Sequence, residues 1–528
     1  MLKKHYGAVI IGAGIGGCGS AALLAKDHGI DVAVFEKAPH IGGRVASYVG
    51  KGDKVTIDGL ELDYTGFRKS LTDARCWVSY CEPDLKTIFE KGLLDGYTID
   101  NGGHGLFWGN KSRCRLLLDY LGEPVDMPTN KGLGFVDART NEIYQVAPLE
   151  PYRWMTKEGF SAAYAALRAM GSLSMEQVAA AMNLSLEEWL DERKLNLNEE
   201  AYDYIKVVMA CQNAMAEPRM APAGDFLGYM AMARDIGMNL HTGSVATVGE
   251  PGPMAIPLAM ERALNEAGGE ILRSTPVEEV TIEDGRVRGV VVRTKENAYQ
   301  PIEAPIVICN IPPKHIFNVI HPRHFPQEWV TKIQSEFWSP GLLSATIALK
   351  KDVWERYGVD ERSFIWMPGI IKDEGYIGAV DMVMGNLASM AKRAPEGRRD
   401  FIFSTALTDR EMRTPSKVNR VIDYCMDWFR RTFTDWKENV EFVIWTPSDE
   451  AYGNWRPVGT DRPDVKSPFV EGLYFVGDQY GKRLWGGGVD GASLSAVMCV
   501  DIITGSDVEH NLYPPYHQGV PTSSSGSS

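Results

Sequence analysis

The spacing Gly12-x-Gly14-x-x-Gly17, with an acid at Glu36, is the first pattern in this chain whose residue types could do chemistry. Glycine at the first position permits a tight turn. At the second it lets a diphosphate approach the backbone, and at the third it lets a helix pack closely on a strand. A helix that starts there presents unpaired N–H groups and a partial positive charge to phosphates. Glu36 stands where a carboxylate can accept both ribose hydroxyls, with Lys37 beside it, and its charge repels a 2′-phosphate. A second cluster, Gly42-Gly43-Arg44 in "KAPHIGGRVAS", follows directly. A nicotinamide dinucleotide does not need a second glycine turn with an arginine at this point. A cofactor with a long ribityl arm does, because another backbone segment must reach its phosphates. A third cluster lies near the other end, in "RLWGGGVDGASLSA", where Gly486, Gly487 and Gly488 follow Trp485.

These clusters require elements to hold them. "YGAVIIGAGIGGCGSAALLAKDHGIDVAVFEKA" reads as strand, tight turn, helix and strand, with a helix stop at Gly29 and a second strand that ends in Glu36. "EGLYFVGDQYGKRLWGGGVDGASLSAVMCV" reads as a strand ending in Gly477-Asp478, a loop, and a helix of small residues. Residues 126–244 are dominated by helix-period segments such as "GFSAAYAALRAM", "SMEQVAAAM" and "SLEEWLDERK"; Ser172 and Ser185 are the expected N-caps of the last two, with Glu176 and Glu188 near capping-box spacing. Residues 321–464 add strand-like runs, "LLSATIALK" and "DFIFSTAL", and the amphipathic helix "KVNRVIDYCMDWFRRTF".

Taken with these motifs, the sequence resembles the flavin amine oxidase and phytoene desaturase superfamily. The resemblance rests on GxGxxG…E…GGR at the start, "YTIDNGGHGLFWGN" (97–110), the strand pair around Val277, "EAPIVICNIPP", and the closing Gly477-Asp478…GGG segment. It implies an α/β fold: a Rossmann-type, GR2-like FAD-binding domain with an interleaved α+β substrate-binding domain. The FAD-binding domain would comprise 1–125, 245–320 and 465–506, with an insertion at 50–92. The substrate-binding domain would comprise 126–244 and 321–464, and 507–528 would be a flexible tail. The resemblance also implies non-covalent FAD, because no Cys stands in "SDEAYGNWRPVG" before the closing motif. It assigns Arg44 to the diphosphate region, Gly102 and Gly103 to a turn beside the flavin, and Val277 to the adenine. Gly477 and Asp478 fall to the ribityl–phosphate part, and Gly488 and Val489 to the isoalloxazine ring. The 50–92 insertion departs from the family pattern. A lid, an oligomer contact and a decorated surface loop are all open readings of it.

Composition narrows the function classes. The chain has 528 residues, 44% hydrophobic and 23% charged, and a net charge of −14. A nucleic-acid partner would need a clustered basic face, so none is expected. No run reaches the length of a membrane span, and a cytoplasmic protein is expected, with peripheral membrane contact left open. The eight cysteines are scattered without metal spacing and read as reduced structural thiols; no metal is expected. Candidate wall residues are His104, Trp108, Tyr452, Trp455, Tyr480 and Trp485. Of these, His104 is the acid/base candidate, and Tyr452 and Trp485 are the aromatics set to face a substrate. Their alternative is packing against the glycine turns.

Amine oxidases of this superfamily carry a lysine in a strand soon after the Pro-Pro motif. Here "WSPGLLSATIALK" puts Ser344 or Ala345 at that position. The expected reaction is therefore dehydrogenation of a C–C bond in a hydrophobic, cyclic or isoprenoid substrate by hydride transfer to flavin N5. A flavin amine oxidase, a redox-neutral double-bond isomerase and a flavin-binding scaffold without turnover are the alternatives. With one dinucleotide fingerprint only, electrons are expected to leave to oxygen, a quinone or another acceptor. A homo-oligomer remains open.

Overall fold

A computed structural model describes residues 2–101, 106–137, 140–195, 197–213, 219, 221–237, 243–336, 341–367, 381–383, 391–407, 409–449, 458–459, 462–481 and 487–513. The strand Ala8–Ile11 is fully buried and lies at the centre of a five-stranded sheet. Val32–Phe35 and Val307–Cys309 flank it in parallel, with Glu270–Leu272 and Leu473–Phe475 at the edges. Near-continuous apolar strands are what a parallel sheet covered on both faces demands.

The helix Ile15–His28 leaves this sheet immediately after the glycine turn. It stops at Gly29, which adopts φ 60° and donates its N–H back to Ala25 O. The helix packs between Ala255–Glu266 and the closing helix Gly488–Thr504 within one apolar cluster. The small-residue run in the closing helix has a packing reason. A Cβ at Gly19 would lie 3.3 Å from the Ala496 side chain, so the two helices approach with little between them.

An eight-stranded sheet forms the other large layer. An interior strand, Gly341–Leu349, is buried throughout and pairs antiparallel with Arg399–Leu407 and Val440–Ser448. The helix Pro415–Thr432 lays Val421, Ile422, Cys425, Trp428 and Phe429 on this sheet, against Phe401, Phe403 and Trp445. Helices between Lys157 and Asp235 pack as a separate apolar cluster beside Leu133 and Phe135.

Residues 50–92 form folded structure rather than a surface loop. Lys54–Ile57 and Leu60–Leu62 extend a four-stranded sheet with Ser47–Lys51 and Thr98–Asp100. Tyr80–Glu82 then pairs with Val443–Trp445 and becomes the edge of the eight-stranded sheet. The segment thus ties this four-stranded sheet to the eight-stranded one.

One helix start differs from the sequence expectation. Ser185 caps Leu186–Arg193 in a capping box with Glu188, but Ser172 sits at the C-terminal cap of Lys157–Gly171. Ser174 caps the next helix instead, because Gln177, three residues on, can return to the Ser174 N–H. Ser172 has Met175 at that spacing, which cannot.

Candidate functional site

A single cavity of about 610 Å³ collects the glycine clusters. It runs from Phe35, Glu36 and Lys37, past Gly12 and Gly14, to Gly42, Gly43 and Arg44, and on to Gly477, Asp478 and Gly487–Asp490. Val277 lines it too, and Leu106, Phe107, Met127 and Leu342 add an apolar part to the wall.

Each turn has a local cause. Gly12 has φ +95°, a conformation that disfavours a side chain. A Cβ on Gly14 would come 2.8 Å from Asn310 Nδ2, and one on Gly17 would come 2.1 Å from Gly12 O. Gly17 does not line the cavity; it sets the contact between helix and turn. Glu36 is buried, its carboxylate accepting the Ala13 N–H at 2.7 Å and the Ala38 N–H at 2.8 Å. Two backbone donors therefore hold it at the end of the second strand.

Two helix N-termini open into this one cavity. The first helix has Gly14 and the closing helix has Gly487 at its N-cap, and neither has a side-chain cap. In the first helix this leaves the opening N–H groups to a ligand, whereas the closing helix gives its first N–H, that of Gly488, to a side chain from outside the helix. Asp478 joins distant turns: one oxygen accepts Arg44 Nη2 at 2.7 Å and the other accepts the Gly488 N–H at 3.2 Å. Gly477 donates its N–H to Ser495 Oγ at 2.9 Å, which fixes the strand end on the closing helix. Asp490, in the first turn of that helix, accepts the Cys114 N–H at 3.2 Å. Burial pushes its carboxyl up to about 6, opposed by the Arg113 guanidinium.

A long cavity with glycine turns, an acid at one end and two helix N-termini on its wall fits FAD, whose diphosphate needs close backbone and N–H donors. Residues 86–504, well over half of the chain, match the family described as flavin containing amine oxidoreductase. The chain belongs to that family. Residues 10–68 match an NAD(P)-binding Rossmann-like domain, which agrees with the parallel sheet and its glycine turn. The protein is an FAD-dependent oxidoreductase with an α/β, Rossmann-type fold, and it binds FAD non-covalently.

Relatives agree with this fold. An oxidoreductase from Methanosarcina mazei is 16% identical with a TM-score of 0.66, over 94% of this chain and 99% of that one. A cyclohexylamine oxidase from Brevibacterium oxydans is 14% identical with a TM-score of 0.58, over 94% of this chain and 98% of that one. At these identities the likeness is one of fold. A vinyl phenol reductase from Lactiplantibacillus plantarum is 32% identical over 103 residues, which cover 16% of this chain and 20% of that protein.

Of the residues singled out in the sequence, Gly102, Gly103, His104, Tyr452, Trp455 and Trp485 lie outside the described residues. Trp108 and Tyr480 do not line the cavity. Trp108 is buried against Tyr229, ring centroids 4.8 Å apart. Tyr480 stacks on Phe475 and donates its hydroxyl to Ile311 O at 2.6 Å. Both are buried and engaged by described neighbours.

Sequence reasoning missed Asn101, Arg75, His315, Leu342 and Ser448, all of which line the cavity. Arg75 has φ +65° and grips Asp449 through two N–H groups, at 3.0 and 3.2 Å, while its third arm meets His315 Nε2. These residues come from segments far apart in sequence, and their spacing carries no signal. Asn101 alone had one: a polar residue directly after the buried strand Thr98–Asp100.

Among the described residues no group of His, Cys, Asp and Glu could hold a metal. Also among them, no helix is long and apolar enough to cross a membrane.

Proposed function

We propose that this oxidoreductase dehydrogenates a C–C bond of a hydrophobic, cyclic or isoprenoid substrate. Bound in the cavity, FAD supplies a two-electron oxidant. The observation that carries the reading is the strand Gly341–Leu349. Leu342 is its cavity-lining residue, while Ser344 Oγ is held by Ser404 Oγ at 3.2 Å. Lys350 donates to Glu438 O at 2.8 Å and Lys351 pairs with Asp435 at 3.3 Å, so both ammonium groups are engaged beyond the strand end. Among the described residues the only lysine that lines the cavity is Lys37, beside Glu36. Leu106, Phe107, Met127 and Leu342 give the wall an apolar stretch suited to a hydrocarbon.

In this reading Gly12, Gly14, Glu36, Lys37, Gly43, Arg44, Val277, Gly477, Asp478, Gly488 and Val489 surround FAD, with Gly102 and Gly103 beside the ring. His104 handles a proton of the substrate, and Tyr452 and Trp485 frame it. The glycine turns belong to the unit 1–125, 245–320 and 465–506, and 126–244 with 321–464 covers the substrate. Oxygen or a quinone takes the electrons. Oxidation of a C–N bond is the second reading, favoured by membership of the amine oxidoreductase family and by the cyclohexylamine oxidase fold.

An anaerobic titration of the purified yellow protein separates them. Bleaching of the visible flavin absorbance by cyclic ketones or isoprenoids, with amines inert, is the expected result. Bleaching by amines alone would refute C–C dehydrogenation.

A further inference from the structure

Asn101 follows the strand Thr98–Asp100 and donates its backbone N–H to Ala46 O at 2.9 Å. Ala46 closes the turn Gly43–Val45, which lines the same cavity as Asn101. The Asn101 side chain is buried, at 3% exposure, yet among the described residues neither its Oδ1 nor its Nδ2 has a hydrogen-bond partner.

The other buried asparagines among the described residues are satisfied. Asn130 Oδ1 accepts the N–H groups of Ser244 and Val245, and its Nδ2 donates to Gly132 O. Asn439 exchanges both of its amide bonds with the Lys351 backbone. A carboxamide stripped of water with both functions unused is costly, and folded proteins keep very few. The place of Asn101 in the wall of a ligand cavity supplies the reason to retain it.

We infer that Asn101 contacts the bound FAD, its carboxamide exchanging hydrogen bonds with a group that both donates and accepts. Phosphate oxygens only accept, and the adenine belongs with Val277 at the Glu36 end of the cavity. With the adenosine ribose at Glu36, the ribityl hydroxyls and the pyrimidine imide of the flavin are the remaining groups with both functions. Asn101 would then be a cofactor-positioning residue supplied by the strand that precedes Gly102 and Gly103, in addition to the glycine turns.

The test uses the full-length, FAD-loaded protein, wild type against Asn101→Leu and Asn101→Asp. Two quantities are read: FAD retention on dilution, by the fluorescence of released flavin, and the positions of the visible bands of the bound flavin. The expected result is FAD retention weakened on the order of ten-fold in Asn101→Leu, the effect of losing one or two neutral hydrogen bonds. A band shift with it assigns the contact to the imide; weakened retention with unshifted bands assigns it to the ribityl chain. Should Asn101→Leu fail to fold, Asn101→Asp carries the test, being nearly isosteric but lacking the N–H donors. Retention and bands equal to wild type in a soluble variant would overturn the inference, and a lowered melting temperature alone would mark Asn101 as structural.

Discussion

Replacing Asp400 with Asn should stabilise the protein at pH 8 and leave it nearly unchanged at pH 4. Asp400 lies in the strand Arg399–Leu407, opposite Ala348, and is fully enclosed. Its neighbour is Arg393, a buried guanidinium that pairs with Asp100 at 2.8 Å and also donates to the carbonyls of Val248 and Thr98. One cation thus faces two carboxylates. Burial pushes the Asp400 carboxyl up to about 6; Arg393 opposes the rise and Asp100 adds to it.

An unfolded aspartate titrates near 3.9, so the gap corresponds to roughly 3 kcal/mol. The sign follows from proton counts. Between about pH 4 and 6 the folded protein binds the proton that the unfolded chain releases, so stability falls as pH rises through that window. Above pH 6 the full penalty is present. Asn cannot ionise and escapes it. The assay is urea or thermal unfolding of wild type and Asp400→Asn at intervals from pH 4 to 8, with the difference between the two cancelling all other titrations. A gain that grows by about 3 kcal/mol from pH 4 to 8 is expected. A difference independent of pH, or a variant less stable at pH 8, would refute the reasoning.

Gly17→Ala would place a methyl group 2.1 Å from the Gly12 carbonyl oxygen, which only a shift of the backbone can relieve. It should purify colourless or fail to fold, and a yellow variant with wild-type flavin content per protein would count against the tight-turn argument. Asp478→Ala removes the partner of both Arg44 and the Gly488 N–H, so FAD release should quicken by about ten-fold or more, measured by flavin fluorescence after dilution. Ser185→Ala loses a reciprocal capping box and should cost about 1 kcal/mol in urea unfolding without altering the visible spectrum.

The dinucleotide half of the site was legible because its determinants are local. Gly12, Gly14, Gly17 and Glu36 lie within one strand–helix–strand unit, and the glycines there answer to backbone geometry that any sequence reader can reconstruct. The parallel sheet, the closing helix and the amphipathic helix Pro415–Thr432 were legible for the same reason, since hydrophobic period reports which face is buried. The segment 50–92 was not. Its strands are only three or four residues long, and only pairing with Val443–Trp445 gives the half-exposed Tyr80–Glu82 its place. Ser172 was misread because an N-cap is decided by the residue three positions on, not by the serine alone.

By itself, then, the sequence determined the cofactor class, the βαβ unit and the residues whose backbone must come close to a diphosphate. Only the tertiary structure decided that Asp478 reaches Arg44 across 434 positions, that Arg75 meets Asp449 at the cavity, and that Asn101 stands in its wall with a carboxamide unpaired among the described residues. The physical reason is the range of the forces concerned. Turns and helix caps are settled by dihedrals and hydrogen bonds among neighbours. Ion pairs and cavity walls arise where sheets and helices pack, and the order of residues along the chain does not encode which side chains that packing brings together.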